Sequence, residues 1–245
     1  MELQVELKPV KTLIVSGDGI NADQELLLAF QNAGSICQKV HVNQLVENPT
    51  MIHQFDIMAF PGGFSFGDEI RSGKVFAIKM KNQLLSELKK FKEDKKLVIG
   101  ICNGFQILVQ LNLFSQNLEV QKEFTLTTND HGKFKNFWTK VKVLNTKTPW
   151  LNDISEDFYL PVRHKEGRIF GKIDPKLYAL KYENSINGSI DDIAGIVDES
   201  GLVFGLMPHP EAATSSLLNP EGVPLTNATI VQKIFKNAIN YSQRI

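Results

Sequence analysis

Two cysteines, Cys37 and Cys102, in 245 residues are too few to staple a scaffold, and they lack the close spacing of metal ligands. A disulfide-built secreted fold is therefore excluded, no metal site is suggested, and a reducing compartment is expected. Charge of one sign is not in excess either. Lys plus Arg and Asp plus Glu each number 27, so nothing implies nucleic acid or an anionic membrane as a partner. No apolar run approaches the roughly 20 residues that span a bilayer. The stretch Met1–Lys8 lacks the basic start and apolar core of a signal peptide, and a cytoplasmic location is expected. Neither a Gly-X-X-X-X-Gly-Lys-Ser/Thr loop nor a Rossmann glycine triplet is found, so no bound nucleotide cofactor is expected on this chain. Internal repeats and low-complexity segments are missing as well.

What is present is an alternation of strand and helix patterns. Leu3, Val5 and Leu7 suggest a short edge strand, and Lys11–Ser16 a better one. Asn21 suits a helix N-cap with Gln24 three residues on, and Leu26, Leu27 and Phe30 form the buried stripe of a helix ending near Gly34. Strands are expected at Ile36–Val42 and Phe55–Phe60, separated by a weak polar stretch. Residues 74–92 suit a helix with Val75, Ile78, Leu84, Leu85, Leu88 and Phe91 inward. Beyond residue 112 the texture changes. Glu123–Asn129, Asn136–Leu144 and Leu177–Tyr182 read as antiparallel strands appended to the sheet, and Ile193–Val197 with Leu202–Met207 as a hairpin. A helix patterned by Ile230, Val231, Ile234, Phe235, Ala238 and Ile239 closes the chain. The expected class is α/β: a doubly wound, mostly parallel sheet with appended antiparallel strands.

The organising stretch is Lys96–Gln106. Leu97–Ile101 reads as a strand buried on both faces, as in a parallel sheet covered by helices. Gly100-Ile101-Cys102-Asn103-Gly104 then turns sharply into a helix, the geometry of a nucleophile elbow with sulfur as the nucleophile. The following helix aims its amide-rich N-terminus at the sulfur, which favours thiolate. Of the five histidines, His41, His53, His131, His164 and His209, only the last has a strong setting: a strand ends in Pro208-His209-Pro210-Glu211. Two prolines hold that backbone extended, so that Glu211 falls on the same side and can orient the imidazole. Pro61-Gly62-Gly63 follows another strand, where paired glycines let main-chain N–H groups approach an anionic oxygen.

Gly100-Ile-Cys102-Asn-Gly104-Phe-Gln106 and Met207-Pro-His209-Pro-Glu211 resemble the signature of the class I glutamine amidotransferases. Pro61-Gly-Gly-Phe-Ser-Phe-Gly-Asp68, Arg71-Ser-Gly73 and the run Tyr182–Gly195 narrow the resemblance to the branch serving de novo purine biosynthesis, over Thr12 to the C-terminal helix. The resemblance implies a flavodoxin-like amidotransferase domain over residues 11–245, preceded by an N-terminal extension of residues 1–10. It implies that Cys102 attacks the side-chain amide of glutamine, His209 moves the proton, Glu211 orients His209, the amides of Gly63 and Asn103 form the oxyanion hole, and Gln106 contacts the substrate. Ammonia then passes to a separate synthase subunit, with a small accessory subunit. ATP and Mg belong to that synthase, and this chain holds no cofactor. The chain departs from the family pattern at Ala22, Ser72, Lys165 and Ala212. The Gly-punctuated loop Phe64–Gly73, carrying Phe66, Asp68 and Arg71, is expected to touch the partner and close over the site.

Two other readings are distinguishable. Hydrolases and stress chaperones of the intracellular-protease type also carry an elbow cysteine, but they place a His directly after it where this chain has Asn103. A non-catalytic regulatory domain of the same shape is expected to lose the Cys or the His, and this chain keeps both.

Overall fold

A computed structural model describes residues 8–64, 73–119 and 122–245. The edge strand expected at Leu3–Leu7, and the segment 65–72 with Phe66, Asp68, Arg71 and Ser72, lie outside the described residues. The first half alternates as β1 (Lys11–Ser16), α1 (Asp23–Asn32), β2 (Ile36–His41), α2 (Val42–Glu47), β3 (Ile57–Phe60), α3 (Lys74–Glu93), β4 (Leu97–Ile101) and α4 (Asn103–Gln110). The second half is strand-rich: β5 (Phe124–Thr127), β6 (Lys135–Val143), β7 (Phe158–His164), β8 (Arg168–Gly171), β9 (Tyr178–Tyr182), β10 (Ile193–Val197) and β11 (Val203–Leu206), then α5 (Asn227–Ser242).

Among the described residues, nine strands make one sheet in the order β2-β1-β3-β4-β11-β10-β9-β6-β7. The first five run parallel, with β11 joining beside β4 in the register Gly205 to Gly100. From β11 outward every pairing is antiparallel. This is the doubly wound sheet with antiparallel strands that the patterning implies. All five residues of β4 are buried. Because successive side chains alternate faces, helices must cover the sheet on both sides. Phe30 of α1 packs edge-on to Phe235 of α5, ring centroids 5.1 Å apart, while α3 packs against α2 and α4. Val10 is buried in the same core and its carbonyl accepts the Ile36 N–H.

The structure departs from the sequence reading at several elements. α1 is capped by Ala22 with no side-chain bond, and Asn21 does not cap it. The polar stretch after β2 is α2, capped by His41, whose Nδ1 accepts the Asn43 N–H while Gln44 accepts the His41 N–H. Only Val42 and Leu45 of α2 are buried, too short a stripe to stand out in the sequence. Ile78 of α3 is half exposed. Leu84, Leu88 and Phe91 are buried as expected and Leu85 partly so; the inward stripe also takes in Phe76, Ala77 and Met80, and the Val75 side chain lies outside the described residues. β5 does not join the main sheet but pairs with β8 as a separate two-stranded ribbon. The sequence pattern does not signal β7 or β8, because Pro161 interrupts the first and the second has four residues. β7 is the outermost strand, where a proline's missing N–H breaks no bond to a neighbouring strand.

Candidate active site

β4 and β11 run side by side and both end at one cleft. Cys102 leaves β4 with φ 53° and ψ −107°, and α4 starts at the next residue. Its N–H donates to Leu206 O of β11 at 2.8 Å, and its carbonyl accepts the Gln106 N–H at 3.1 Å, so both sides of the turn are fixed. A positive φ at a residue with a side chain costs about 1–3 kcal/mol and persists only where the surroundings impose it. Here the imposition is steric: a Cβ built on Gly104 would sit 1.9 Å from Phe60 O, so α4 rests its backbone directly on the end of β3.

His209 follows β11. The backbone is not extended through Glu211 as its two prolines suggested. Pro210 starts a 3-10 turn over Pro210–Ala213, a position its fixed φ suits. The turn brings Glu211 back under the ring, and the Glu211 Oε1 to His209 Nδ1 distance is 2.6 Å. Both side chains are buried, 5% and 0% exposed. Burial opposes a charged imidazole there, but the Glu211 carboxylate and the Cys102 sulfur outweigh it and hold the His209 pKa above its ordinary value. With Nδ1 committed to Glu211, Nε2 is buried with no well-formed hydrogen bond, and it is the ring atom left to serve the sulfur. Gly62 sits between the two groups: a Cβ there would meet His209 Cε1 at 2.7 Å and Cys102 Cβ at 3.5 Å.

Gly63, with φ 148°, lies against the β1–α1 loop. A Cβ on it would fall 2.7 Å from Gly19 O, and the following Phe64 N–H donates to that oxygen. Gly63 lines the cleft with Cys102, while Asn103 supplies the first amide of α4. Asn103 Nδ2 donates to Gln106 Oε1, and Gln106 Nε2 donates to Glu166 O at 2.6 Å. Gln106 thus stands in the cleft wall with both halves of its amide tied to the protein.

The cleft encloses about 670 Å³. Its far wall comes from residues that sequence reasoning did not assign: Phe134, Asn136, Arg163, Lys165 and Glu166, together with Asn21 and Glu25 of the β1–α1 region. The end of β7 and the turn after it contribute Arg163 to Glu166, and β7 also supplies backbone oxygens. Its Pro161 carbonyl accepts the His209 N–H at 2.9 Å, and its Arg163 carbonyl accepts the Cys102 S–H at 3.7 Å. Residues two apart on a strand present their carbonyls to the same side, so one strand edge bonds to both Cys102 and His209. The sequence signal for this was weak, because backbone oxygens carry no residue letter. His164, at the end of β7, is 3% exposed, and burial first, then the charge at His209, drops its pKa to about 3. It is a neutral ring, its Nδ1 3.2 Å from Asn129 Oδ1.

No cluster of His, Cys, Asp and Glu suited to a metal occurs among the described residues, and none of their helices is long and apolar enough to cross a membrane.

Residues 9–242 match the model of a CobB/CobQ-like glutamine amidotransferase domain. The phosphoribosylformylglycinamidine synthase subunit PurQ of Dehalococcoides mccartyi is 36% identical, the alignment covering 98% of this chain and all of that one. PurQ of Methanococcus maripaludis is 35% identical over 94% of this chain and 97% of its own. Among solved structures, a chain of PurLQS from Thermotoga maritima superposes with a TM-score of 0.77 at 32% identity, covering 96% of this chain and 99% of that one. The elbow cysteine and the His-Glu pair thus lie inside a matched region that spans nearly the whole polypeptide, and the chain belongs to the CobB/CobQ-like glutamine amidotransferase family.

Proposed function

We propose that this chain is a cytoplasmic glutaminase subunit. It hydrolyses L-glutamine to glutamate and ammonia and passes the ammonia to a synthase subunit, which converts formylglycinamide ribonucleotide to formylglycinamidine ribonucleotide with ATP and Mg. A small accessory subunit completes the assembly, as the named Thermotoga complex suggests. The observation that carries the reading is the convergence of Cys102, His209 and Glu211 at the ends of β4 and β11, in a chain whose near full-length relatives bear the PurQ name.

The chemistry follows from the geometry. His209 Nε2 takes the Cys102 proton, and the sulfur attacks the δ-carbon of glutamine. The resulting oxyanion is met by the amides of Gly63 and Asn103, the second at a helix N-terminus where negative charge is favoured. His209 returns the proton to the departing nitrogen, releasing ammonia and leaving a γ-glutamyl thioester. Water, activated by the same ring, cleaves the thioester to glutamate and restores the thiol. Glu211 holds Nδ1 throughout, so that Nε2 is the atom that exchanges protons.

The test is glutamate release by the purified chain alone, then with the synthase, ATP and formylglycinamide ribonucleotide, with Cys102→Ala as control. Glutamate from wild type but not from Cys102→Ala is the expected result. No glutamate in either condition overturns the reading.

A further inference from the structure

One ion pair lies in the lining of the cleft. Glu25, in the first turn of α1, and Arg163, in β7, approach at 3.6 Å between Oε2 and Nη1, and both line the cavity that holds Cys102. Among the described residues no other Lys or Arg paired with an Asp or Glu has both members in that wall. The pair is 43% exposed on the Arg side and 46% on the Glu side. So wet a pair contributes little to holding the fold together, and nothing else in the structure makes use of it.

Its position suggests a use. Arg163 is tied to the nucleophile by its own backbone, whose carbonyl meets the Cys102 sulfur at 3.7 Å. Its side chain therefore begins beside the nucleophile and ends in the half-exposed pair with Glu25. Glutamine presents the matching pattern. Its amide carbon is separated from the α-carbon by two methylenes, and the α-carbon carries one carboxylate and one ammonium. A guanidinium fork suits a carboxylate, and a carboxylate suits an ammonium. We propose that Arg163 binds the α-carboxylate and Glu25 the α-ammonium of the substrate, the two side chains exchanging each other for the charges of the amino acid. This rests on the glutaminase reading and names the residues that select a free α-amino acid from other amides. The exchange conserves the number of ion contacts, so loss of the weak internal pair opposes binding little. Neither residue touches the scissile bond. They act on binding in ground and transition state alike, which places their effect in KM.

The experiment uses the full complex with its synthase and three amides: glutamine, glutaramate (no ammonium) and 4-aminobutanamide (no carboxylate). Wild type should prefer glutamine over each truncated amide by roughly 10- to 100-fold in kcat/KM, the range of a charge-assisted contact. Arg163→Gln should raise the glutamine KM by a similar factor, leave kcat nearly unchanged, and leave turnover of 4-aminobutanamide untouched. Arg163→Lys should recover part of the loss. Glu25→Gln should do the same for the ammonium, sparing glutaramate. Labelling of Cys102 by uncharged chloroacetamide should proceed at the wild-type rate in both variants. If either variant slows the truncated amide as much as glutamine, or alters the chloroacetamide rate, the pair shapes the cleft and the assignment is wrong. Loss of carboxylate discrimination in Lys165→Gln but not in Arg163→Gln overturns it in favour of Lys165. Wild type that fails to hydrolyse glutamine in the complex overturns the glutaminase reading itself, an outcome distinct from all of these.

Discussion

The two ends of the sheet build the same cleft by different means. On the parallel side, β3, β4 and β11 each stop at the cleft and deliver side chains or glycines there: Gly62 and Gly63, then Cys102, then His209. On the antiparallel side, β7 delivers main-chain oxygens, from Pro161 to His209 and from Arg163 to Cys102. One side carries the groups proposed to react and the other bonds to them through its main chain. The contrast extends to the two buried histidines. His209, beyond β11, is held above its ordinary pKa by Glu211 and Cys102 against the effect of burial, while His164, ending β7, falls to about 3. Equal burial gives opposite results because only one ring has a carboxylate partner.

The strongest way to break the comparison is to remove members of the parallel side. His209→Ala should lower glutamine turnover in the complex by more than about a thousandfold, and Glu211→Ala by one to two powers of ten less, since it acts only through the ring. Equal losses in steady-state assays would show that Glu211 does more than orient. Gly62→Ala comes next. Its methyl group must displace the His209 ring from a 2.7 Å approach, and a fall of roughly a hundredfold in kcat is expected. Its melting temperature, read in the same preparation, should change far less than its rate.

A weaker effect is expected from the antiparallel side. Asn129 joins the β5–β6 connection to the turn after β7: its Oδ1 accepts the Gly167 N–H, and its Nδ2 donates to Lys133 O and His164 O. Asn129→Ala leaves these groups unpaired and should cost about 2–3 kcal/mol of stability in urea unfolding. Its kcat/KM should fall only about tenfold, with alkylation of Cys102 still faster than that of Cys37. Burial raises the Cys37 thiol to about 11, which keeps it slow as a thiolate nucleophile.

A last prediction leaves turnover aside and separates the histidines by pH. Below about 6.5 the unfolded chain protonates His164, while the folded ring resists until about 3. Stability should therefore decline as pH falls through that window, with a slope of up to about 1.4 kcal/mol per pH unit from this group. His209 works the other way: its contribution is complete below the ordinary histidine range and is lost as pH rises through its raised folded value. His164→Gln should flatten the acid limb of urea-unfolding stability and leave the alkaline limb alone. An unchanged acid limb would mean that residue 164 is not the group responsible.

The same division explains what could be read from the residues. Leu97–Ile101 announced β4 because five apolar positions in a row have few other uses, and Gly100 and Gly104 announced the turn because neither admits a Cβ. Pro208 and Pro210 marked the His209 segment, although the 3-10 turn they produce was read as extended chain. β7 stayed hidden. Its proline argues against a strand, and its two decisive contacts are carbonyls that any residue could supply. Asn21 was legible as a polar residue before a helix but not as cleft lining, because capping and lining call for the same amino acid. Arg163 gave no local sign at all. Its relation to Glu25 spans 138 positions of chain and exists only once the sheet has formed.

The backbone at Cys102 has a consequence for descent. Glycine at that position relieves the 1–3 kcal/mol tied up in the positive φ, while giving back about 1 kcal/mol in chain entropy and a similar amount in lost burial. The net change is within about 1 kcal/mol of zero, so the fold is indifferent to whether a sulfur is there. On the glutaminase reading proposed above, only the demand for ammonia keeps it. In a lineage that obtains its nitrogen elsewhere, this cysteine should be among the first residues to drift, and what remains should still fold and melt as the working protein does.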